Sequence, residues 1–276
     1  MSIKLIATDL DGTFLTDQKE ITAFTKEVVV KIGQMGIHFV PATGRAFDAV
    51  PENVLALPNT EYVITSNGAA IYSVSEKRRI YQCLLAPEAV DAILQMKIPK
   101  EIAVEAFVEG IPYSEERYIS HPELFGATGY GTVYVKKTRR PVESIRDFMR
   151  IHREELESLA FVSADPKTRD AFRRKLLEEI PDIYVTSSVP HMLEAGHINA
   201  GKGKTLLHLL DTLGISREET MAFGDADNDI DMLTEVKYGI AMANGTENCQ
   251  KAAFAITDNN NEDGVAKGVL KFINKG

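Results

Sequence analysis

The sequence predicts an α/β protein, a doubly wound parallel-sheet core interrupted by an inserted α+β domain. Three observations carry that prediction. Short, nearly continuous apolar runs alternate with helical patterns at the start of the chain; hairpin-like strands and mixed elements replace that order in the middle; the alternation then resumes toward the end. Strands of a parallel sheet read as unbroken apolar runs because crossover helices cover both of its faces. The changes of pattern set expected boundaries at 1–84 and 189–276 for the core and 85–188 for the insertion.

Ile3, Leu5, Ile6 and Ala7 make the first run, short enough for a buried strand, and it opens into a loop at Asp9-Leu10-Asp11-Gly12-Thr13. Thr22 can cap a helix whose apolar residues Phe24, Val28, Ile32 and Met35 share one face, with Gly36 ending it. Ile37 to Ala42 reads as a second strand closing in Thr43-Gly44-Arg45, and a helical piece interrupted at Pro51 leads to a third at Tyr62 to Ser66. From about Ala69 to Leu85, two short strands flank Lys77-Arg78-Arg79 as in a hairpin. Within the insertion, Pro87 starts a helix, and strand-like runs follow at Ile102 to Val108 and Gly131 to Val135. A helix from Val142 into Ile151, a strand at Leu159 to Ser163, a helix opened by Asp165-Pro166 and a strand at Ile183 to Ser187 complete it. The doubly wound order is expected to resume after Met192. It then runs through a helix from Lys202 to Leu213 ended by Gly214, a Ser216/Glu219 capping box and a strand from Thr220 to Phe223 entering Gly224-Asp225. Strands at Gly239 to Met242 and Phe254 to Thr257 alternate with helices to the end, and Asp258 to Asp263 reads as a solvated loop.

With 44% hydrophobic and 26% charged residues over 276 positions, the composition fits a soluble globular chain with a sizeable core. A net charge of -9 argues against a nucleic-acid partner or an anionic membrane, both of which call for a basic face. Cys83 and Cys249 lie far apart, lack metal-ligand spacing and read as buried thiols in a reducing compartment. No apolar run reaches membrane-spanning length, and Met1-Ser2-Ile3-Lys4 leads at once into the first strand, with no room for a signal peptide. The expectation is a cytoplasmic monomer or small homo-oligomer with no nucleic-acid or membrane partner.

Asp9 and Asp11 stand at the carboxyl end of a strand, the edge where open α/β sheets place their ligands. Repulsion between two carboxylates calls for a cation, and oxygen donors with no His or Cys nearby favour a hard one, Mg²⁺ foremost. The alternative is a plain Asp-Gly turn with Asp9 as its cap. Thr43-Gly44, Lys202 and Gly224-Asp225-Ala226-Asp227-Asn228-Asp229 also fall at strand ends or helix starts, and a parallel sheet brings all such ends to one edge. Asp227 and Asp231 are expected to cap or to face solvent. A carboxylate nucleophile, hydroxyl and backbone donors, one fixed cation and further carboxylates suit phosphoryl transfer, which is mainly positioning plus neutralisation of the phosphoryl oxygens. Gly196-x-x-x-x-Gly201-Lys202 has P-loop spacing, but Gly203 stands where a Ser or Thr would hold Mg²⁺, so no nucleotide-binding loop is expected.

In order, Asp9-Leu10-Asp11-Gly12-Thr13, Ala42-Thr43-Gly44-Arg45, Ser66-Asn67-Gly68-Ala69, Lys202-Gly203 and the run from Gly224 to Asp229 resemble the motif series of the haloacid dehalogenase superfamily. More narrowly they are similar to its Cof-like phosphatases and sugar phosphatases, whose cap is inserted between the second and third motifs. The resemblance implies a Rossmann-like core with an inserted cap, a small phosphorylated substrate and Mg²⁺ as cofactor. It implies Asp9 as a nucleophile forming an aspartyl-phosphate, with Asp11 as the acid for the leaving alcohol and then the base for water. The Asp9 and Asp225 carboxylates and the Asp11 carbonyl match the Mg²⁺ positions. Thr43, with the Gly44 and Leu10 amides, matches the phosphate-binding positions; Lys202 would neutralise the phosphoryl group and Asp9 together. Asn228 is similar to a further phosphate contact, and Asp229 to an orienter behind these groups. The implied activity is a Mg²⁺-dependent phosphatase of small metabolites, sugar phosphates in particular. A phosphomutase or phosphotransferase of the same superfamily is one alternative. A phosphoaspartate signalling module is another, although such modules are far shorter and lack a cap. Phe107 to Tyr113 and the aromatics through Tyr130 are candidates for contacting the leaving group, the alternative being that they form the insertion's own core.

Overall fold

The computed structural model describes residues 2–273. Met1–Gly44, Val50–Tyr81 and Gly201–Gly276 make one compact unit, and Arg45–Ala49 with Gln82–Ala200 make a second.

The first unit is built on a five-stranded, wholly parallel sheet in the order Ala255–Ile256, Tyr238–Ala241, Thr220–Gly224, Leu5–Thr8, His38–Pro41. Every residue of Leu5–Thr8 and Thr220–Gly224 is buried, as expected of central strands covered on both faces. Leu206, Leu209 and Leu210 of the helix Lys202–Leu213 pack with Leu5, Ala7, Val40, Ala222 and Ala241 in one core. That helix ends on Gly214 in the left-handed conformation that glycine adopts without strain. Thr22 caps the helix Ala23–Gln34 through its hydroxyl, but the buried face is Thr25, Val28, Val29 and Ile32; Phe24 and Met35, expected on it, are exposed. The third strand, Tyr62–Thr65, meets the large sheet only at its edge, through a parallel bridge between Ala42 and Ile64 and the Thr43 amide donating to the Ile64 carbonyl at 2.9 Å. It also pairs antiparallel with Ala70–Ser73 in a three-stranded sheet. The run from Asp258 to Asp263 is more than a solvated loop. Asn260 is buried, and its amide donates to the Leu15 carbonyl and to Asp17.

The second unit holds a six-stranded sheet in the order Ile183–Thr186, Met192–His197, Leu156–Val162, Ala103–Val108, Ile111–Glu115, Arg140–Val142, antiparallel except for its last pair. Helices Pro87–Gln95, Ile145–Ile151 and Pro166–Glu179 cover its apolar face. This is the expected α+β insertion with a later end. Met192–His197 pairs with Leu156–Val162 and Ile183–Thr186, so the doubly wound order resumes at Lys202 and the unit closes at Ala200, not 188. Gly131 to Val135, read as a strand from its β-branched residues, lies inside the helix Tyr130–Thr138; context overrides a weak propensity. Tyr118 and Phe125 are buried in one small cluster and Tyr113 packs on the sheet core, so these three aromatics serve the unit's own packing; Phe107 is buried outside both clusters, and Tyr130 is exposed. Both cysteines are free thiols; Cys249 is buried as expected, whereas Cys83 is half-buried. Among the described residues, no helix is long and apolar enough to cross a membrane.

Candidate active site

Register decides which loops meet. Thr8 lies beside Phe223 on one side and Pro41 on the other, so Asp9, Gly224-Asp225 and Ala42-Thr43 leave the sheet side by side. The Asp9 amide donates to the Phe223 carbonyl at 2.9 Å and the Ala42 amide to the Thr8 carbonyl at 2.8 Å, which continues the ladder to the edge. One carboxylate oxygen each from Asp9, Asp225 and Asp229 then falls within 4.8 Å of the others.

Lys202, first residue of its helix and completely buried, reaches into this group. Its ammonium donates to Asp9 Oδ1 and to Asp229 Oδ1, both at 2.6 Å. Burial alone would lower its pKa, but Asp229 and Asp9 more than offset that and hold the ammonium charged. Asp229 Oδ2 accepts the Asp225 and Ala226 amides, at 2.9 and 3.0 Å, so both oxygens of Asp229 are engaged inside the protein. Gly224 makes this possible, because a Cβ there would lie 2.4 Å from the Asp229 Cβ. At the head of the same helix, the Gly203 amide donates to Asp231 Oδ2 at 2.8 Å, so Asp231 does cap, on a neighbouring helix.

The cluster carries more negative charge than it neutralises. Burial pushes the Asp9 carboxyl well above its ordinary range; Lys202 opposes the rise and Asp229, Asp225 and Asp11 add to it. Burial and the neighbouring Asp229 push Asp225 up to about 6, against a hydrogen bond from the Thr13 hydroxyl to Asp225 Oδ1 at 2.6 Å. Hydrogen bonds among the described residues use only Oδ1 of Asp9 and of Asp225. A hard divalent cation fits this all-oxygen donor set and would relieve its excess charge. Gly12, at φ +89, lines the same space: a Cβ on it would sit 2.5 Å from Asp225 Oδ2.

The other expected residues take different places. Asp11 stands outside the three-carboxylate group, and its Oδ1 pairs with Lys19 Nζ at 2.9 Å. Leu10 is buried, its carbonyl accepting the Leu15 amide at 2.8 Å. Thr43 is buried beside Asp9's strand, and Gly44 closes the first segment of the unit. Asn228 Nδ2 donates to Asn67 Oδ1 at 2.9 Å, while Asn228 Oδ1 is buried without a hydrogen-bond partner. Asn67, quoted within the Ser66-Asn67-Gly68-Ala69 motif but given no role there, and Lys19, which the sequence does not single out, are further neighbours of these residues. Asn67 lies in a turn of three successive positive φ values, 51, 52 and 90° at Ser66, Asn67 and Gly68. The Gly68 carbonyl accepts the Thr205 hydroxyl at 2.6 Å, and a Cβ on Gly68 would meet the Gly201 carbonyl at 2.3 Å. The turn thus braces both the Lys202 helix and Asn228. An Asn-Gly pair signals such a turn, but not where its amide points.

Comparison with known proteins agrees with this arrangement. A family model described as haloacid dehalogenase-like hydrolase matches residues 6–269. The chain is 28% identical to the 5-amino-6-(5-phospho-D-ribitylamino)uracil phosphatase YcsE of Bacillus subtilis, covering 99% of this chain and 97% of that one. It is also 28% identical to the phosphatase YwpJ of Bacillus subtilis, with 96% and 98% covered. The solved structure of a haloacid dehalogenase-like hydrolase from B. subtilis superposes with a TM-score of 0.83 at 26% identity, covering 98% of this chain and 99% of that one. On a family match that spans both units, the chain belongs to the haloacid dehalogenase-like hydrolases and is a phosphatase among them.

Proposed function

We propose that the chain is a Mg²⁺-dependent phosphatase of small phosphorylated metabolites, sugar phosphates foremost, working through an aspartyl-phosphate on Asp9. The observation that supports this most is the buried Lys202 ammonium shared at 2.6 Å by Asp9 and Asp229 within an otherwise unbalanced carboxylate group. Asp9 and Asp225, with the Asp11 carbonyl, would hold Mg²⁺, which when bound neutralises phosphoryl oxygens and offsets their repulsion from the Asp9 carboxylate. Asp9 then attacks phosphorus in line, the bond to the leaving alcohol breaks, and Asp11 gives that alcohol its proton. In the second half Asp11 takes a proton from the attacking water, the bond between phosphorus and Asp9 breaks, and inorganic phosphate leaves. Thr43, with the Leu10 and Gly44 amides, and Asn228 would orient the phosphate; Lys202 holds charge on Asp9 and the phosphoryl group together, and Asp229 orients Lys202. The inserted unit, expected at 85–188 and running over Gln82–Ala200 in the structure, would serve as the cap that selects the leaving group. A sugar or polyol phosphate is the favoured substrate class because the relative YcsE bears the name of a phosphatase for a phosphoribityl compound.

A phosphate-release screen over phosphorylated metabolites with Mg²⁺ tests the reading, with Asp9→Asn as control. Wild-type protein should release phosphate, and the variant should retain less than about a thousandth of that rate. Substantial activity in folded Asp9→Asn would reject Asp9 as nucleophile. Isomerised phosphosugar in place of free phosphate would favour the phosphomutase reading.

A further inference from the structure

We infer that Lys19 is a positioning residue for the reaction, its ammonium fixing the carboxyl of Asp11 in the orientation from which the leaving group is protonated. This rests on the role proposed above for Asp11.

Lys19 closes a tight turn. Its amide donates to the Thr16 carbonyl at 2.8 Å, the Thr16 amide donates to the Glu20 carbonyl at 3.0 Å, and the Glu20 amide donates to the Thr16 hydroxyl at 3.2 Å. At this corner Lys19 has φ +62, the left-handed region where glycine or asparagine is the ordinary occupant. The backbone therefore disfavours most residues that carry a Cβ, and what lysine adds is reach. Its Nζ stops 2.9 Å from Asp11 Oδ1, with the two side chains only 22% and 35% exposed. A part-exposed pair of this kind adds little to stability, so the pair itself is not what holds the loop folded.

The loop between the two residues is closed on itself: Asp11 bridges Leu15, and the Leu15 amide donates to the Leu10 carbonyl at 2.8 Å. The turn that carries Lys19 is thus anchored to the segment that carries Asp9 and Asp11. Asp11 lies outside the group of Asp9, Asp225 and Asp229, whose carboxylates are fixed by Lys202, Thr13 and backbone amides. Lys19 gives Asp11 a comparable restraint, because a donor on Oδ1 limits rotation of the carboxyl about its own side-chain bonds. Proton donation to a departing oxygen depends on meeting it within hydrogen-bond distance in one geometry.

The test uses the full chain with Mg²⁺ and a series of phenyl phosphates running from p-nitrophenyl, a good leaving group, to unsubstituted phenyl, a poor one. The readout is kcat/KM, since proton donation matters most where the leaving group is poor. Lys19→Met should lower the value for phenyl phosphate about tenfold or more while changing that for p-nitrophenyl phosphate less than about threefold. Lys19→Arg should restore most of the loss. Equal loss across the series, no loss, a gain, or failure of arginine to rescue would overturn the inference. Asp11→Asn separates the two layers. If it leaves the leaving-group dependence unchanged, the acid role of Asp11 fails; if it steepens the dependence and Lys19→Met does not, only the role of Lys19 fails.

Discussion

Each unit buries carboxylates against a cation, with opposite outcomes. In the second, Arg139 and Glu105 pair one to one: Nε donates to Oε1 at 2.9 Å and Nη2 to Oε2 at 2.8 Å, both side chains almost inaccessible. The Tyr118 hydroxyl bonds Glu105 as well, and Arg139 lies 4.5 Å over the Tyr134 ring. Charge closes locally, and the pair braces the sheet. In the first unit, one ammonium answers both Asp9 and Asp229, with Asp225 beside them, and the carboxyls of Asp9 and Asp225 are driven upward. A buried ion pair by itself says little about function. The imbalance is what marks the site.

The widest separation between these regions should come from removing each cation. Lys202→Met should lower phosphate release at least about a thousandfold, because Asp9 and the incoming phosphoryl group lose their shared counter-charge. Arg139→Met should cost about 3–5 kcal/mol of stability by stranding Glu105 in the interior. Yet this variant should keep the rise in melting temperature that Mg²⁺ produces. Melting curves with and without Mg²⁺, beside phosphate-release assays, read both; loss of the Mg²⁺ response in both variants would erase the contrast.

A smaller effect should follow the excess charge itself. Folded Asp225 binds its proton more tightly than the unfolded chain does, so its contribution to folding worsens as pH climbs from about 4 to about 6 and stays level above. Asp225→Asn should therefore stabilise the metal-free protein by on the order of 1–2 kcal/mol at pH 7.5 and by nearly nothing at pH 4. Mg²⁺ should stabilise the wild type and not the variant. Thermal melts in chelator and in Mg²⁺ at the two pH values check the sign. The smallest change is expected at Asn67→Gly, which keeps the left-handed backbone and deletes the amide held by Asn228. We expect KM to rise roughly three- to tenfold with kcat within about threefold, a modest loss of orientation measured by steady-state kinetics.

Much of this was legible because parallel strands obey a simple rule: whatever follows their carboxyl ends shares an edge. Asp9 and Asp225 could be placed together across more than two hundred positions from that rule alone, and Lys202–Leu213 starts and stops where its Leu spacing and Gly214 say. Met192–His197 was harder, since Glu194 and Gly196 interrupt its apolar pattern and only its two antiparallel partners make it a strand of the second unit. Tyr130–Thr138 was misread because Thr132, Val133 and Val135 favour strands, while the segment buries too little to express that preference. The sequence reveals neither Lys19 nor the contact that Asn67 makes, for a common reason. Their roles depend on where a positive φ aims a side chain, and no pattern of residue types encodes that direction.

Gly12 carries the point further. Any methyl group there would compete for the volume that an oxygen of Asp225 already fills. The strength with which this edge would hold a cation thus depends on a residue that offers no donor of its own. Alanine at that position would be damaging through what it displaces, and the gap it leaves free belongs to the active site as surely as the charges around it.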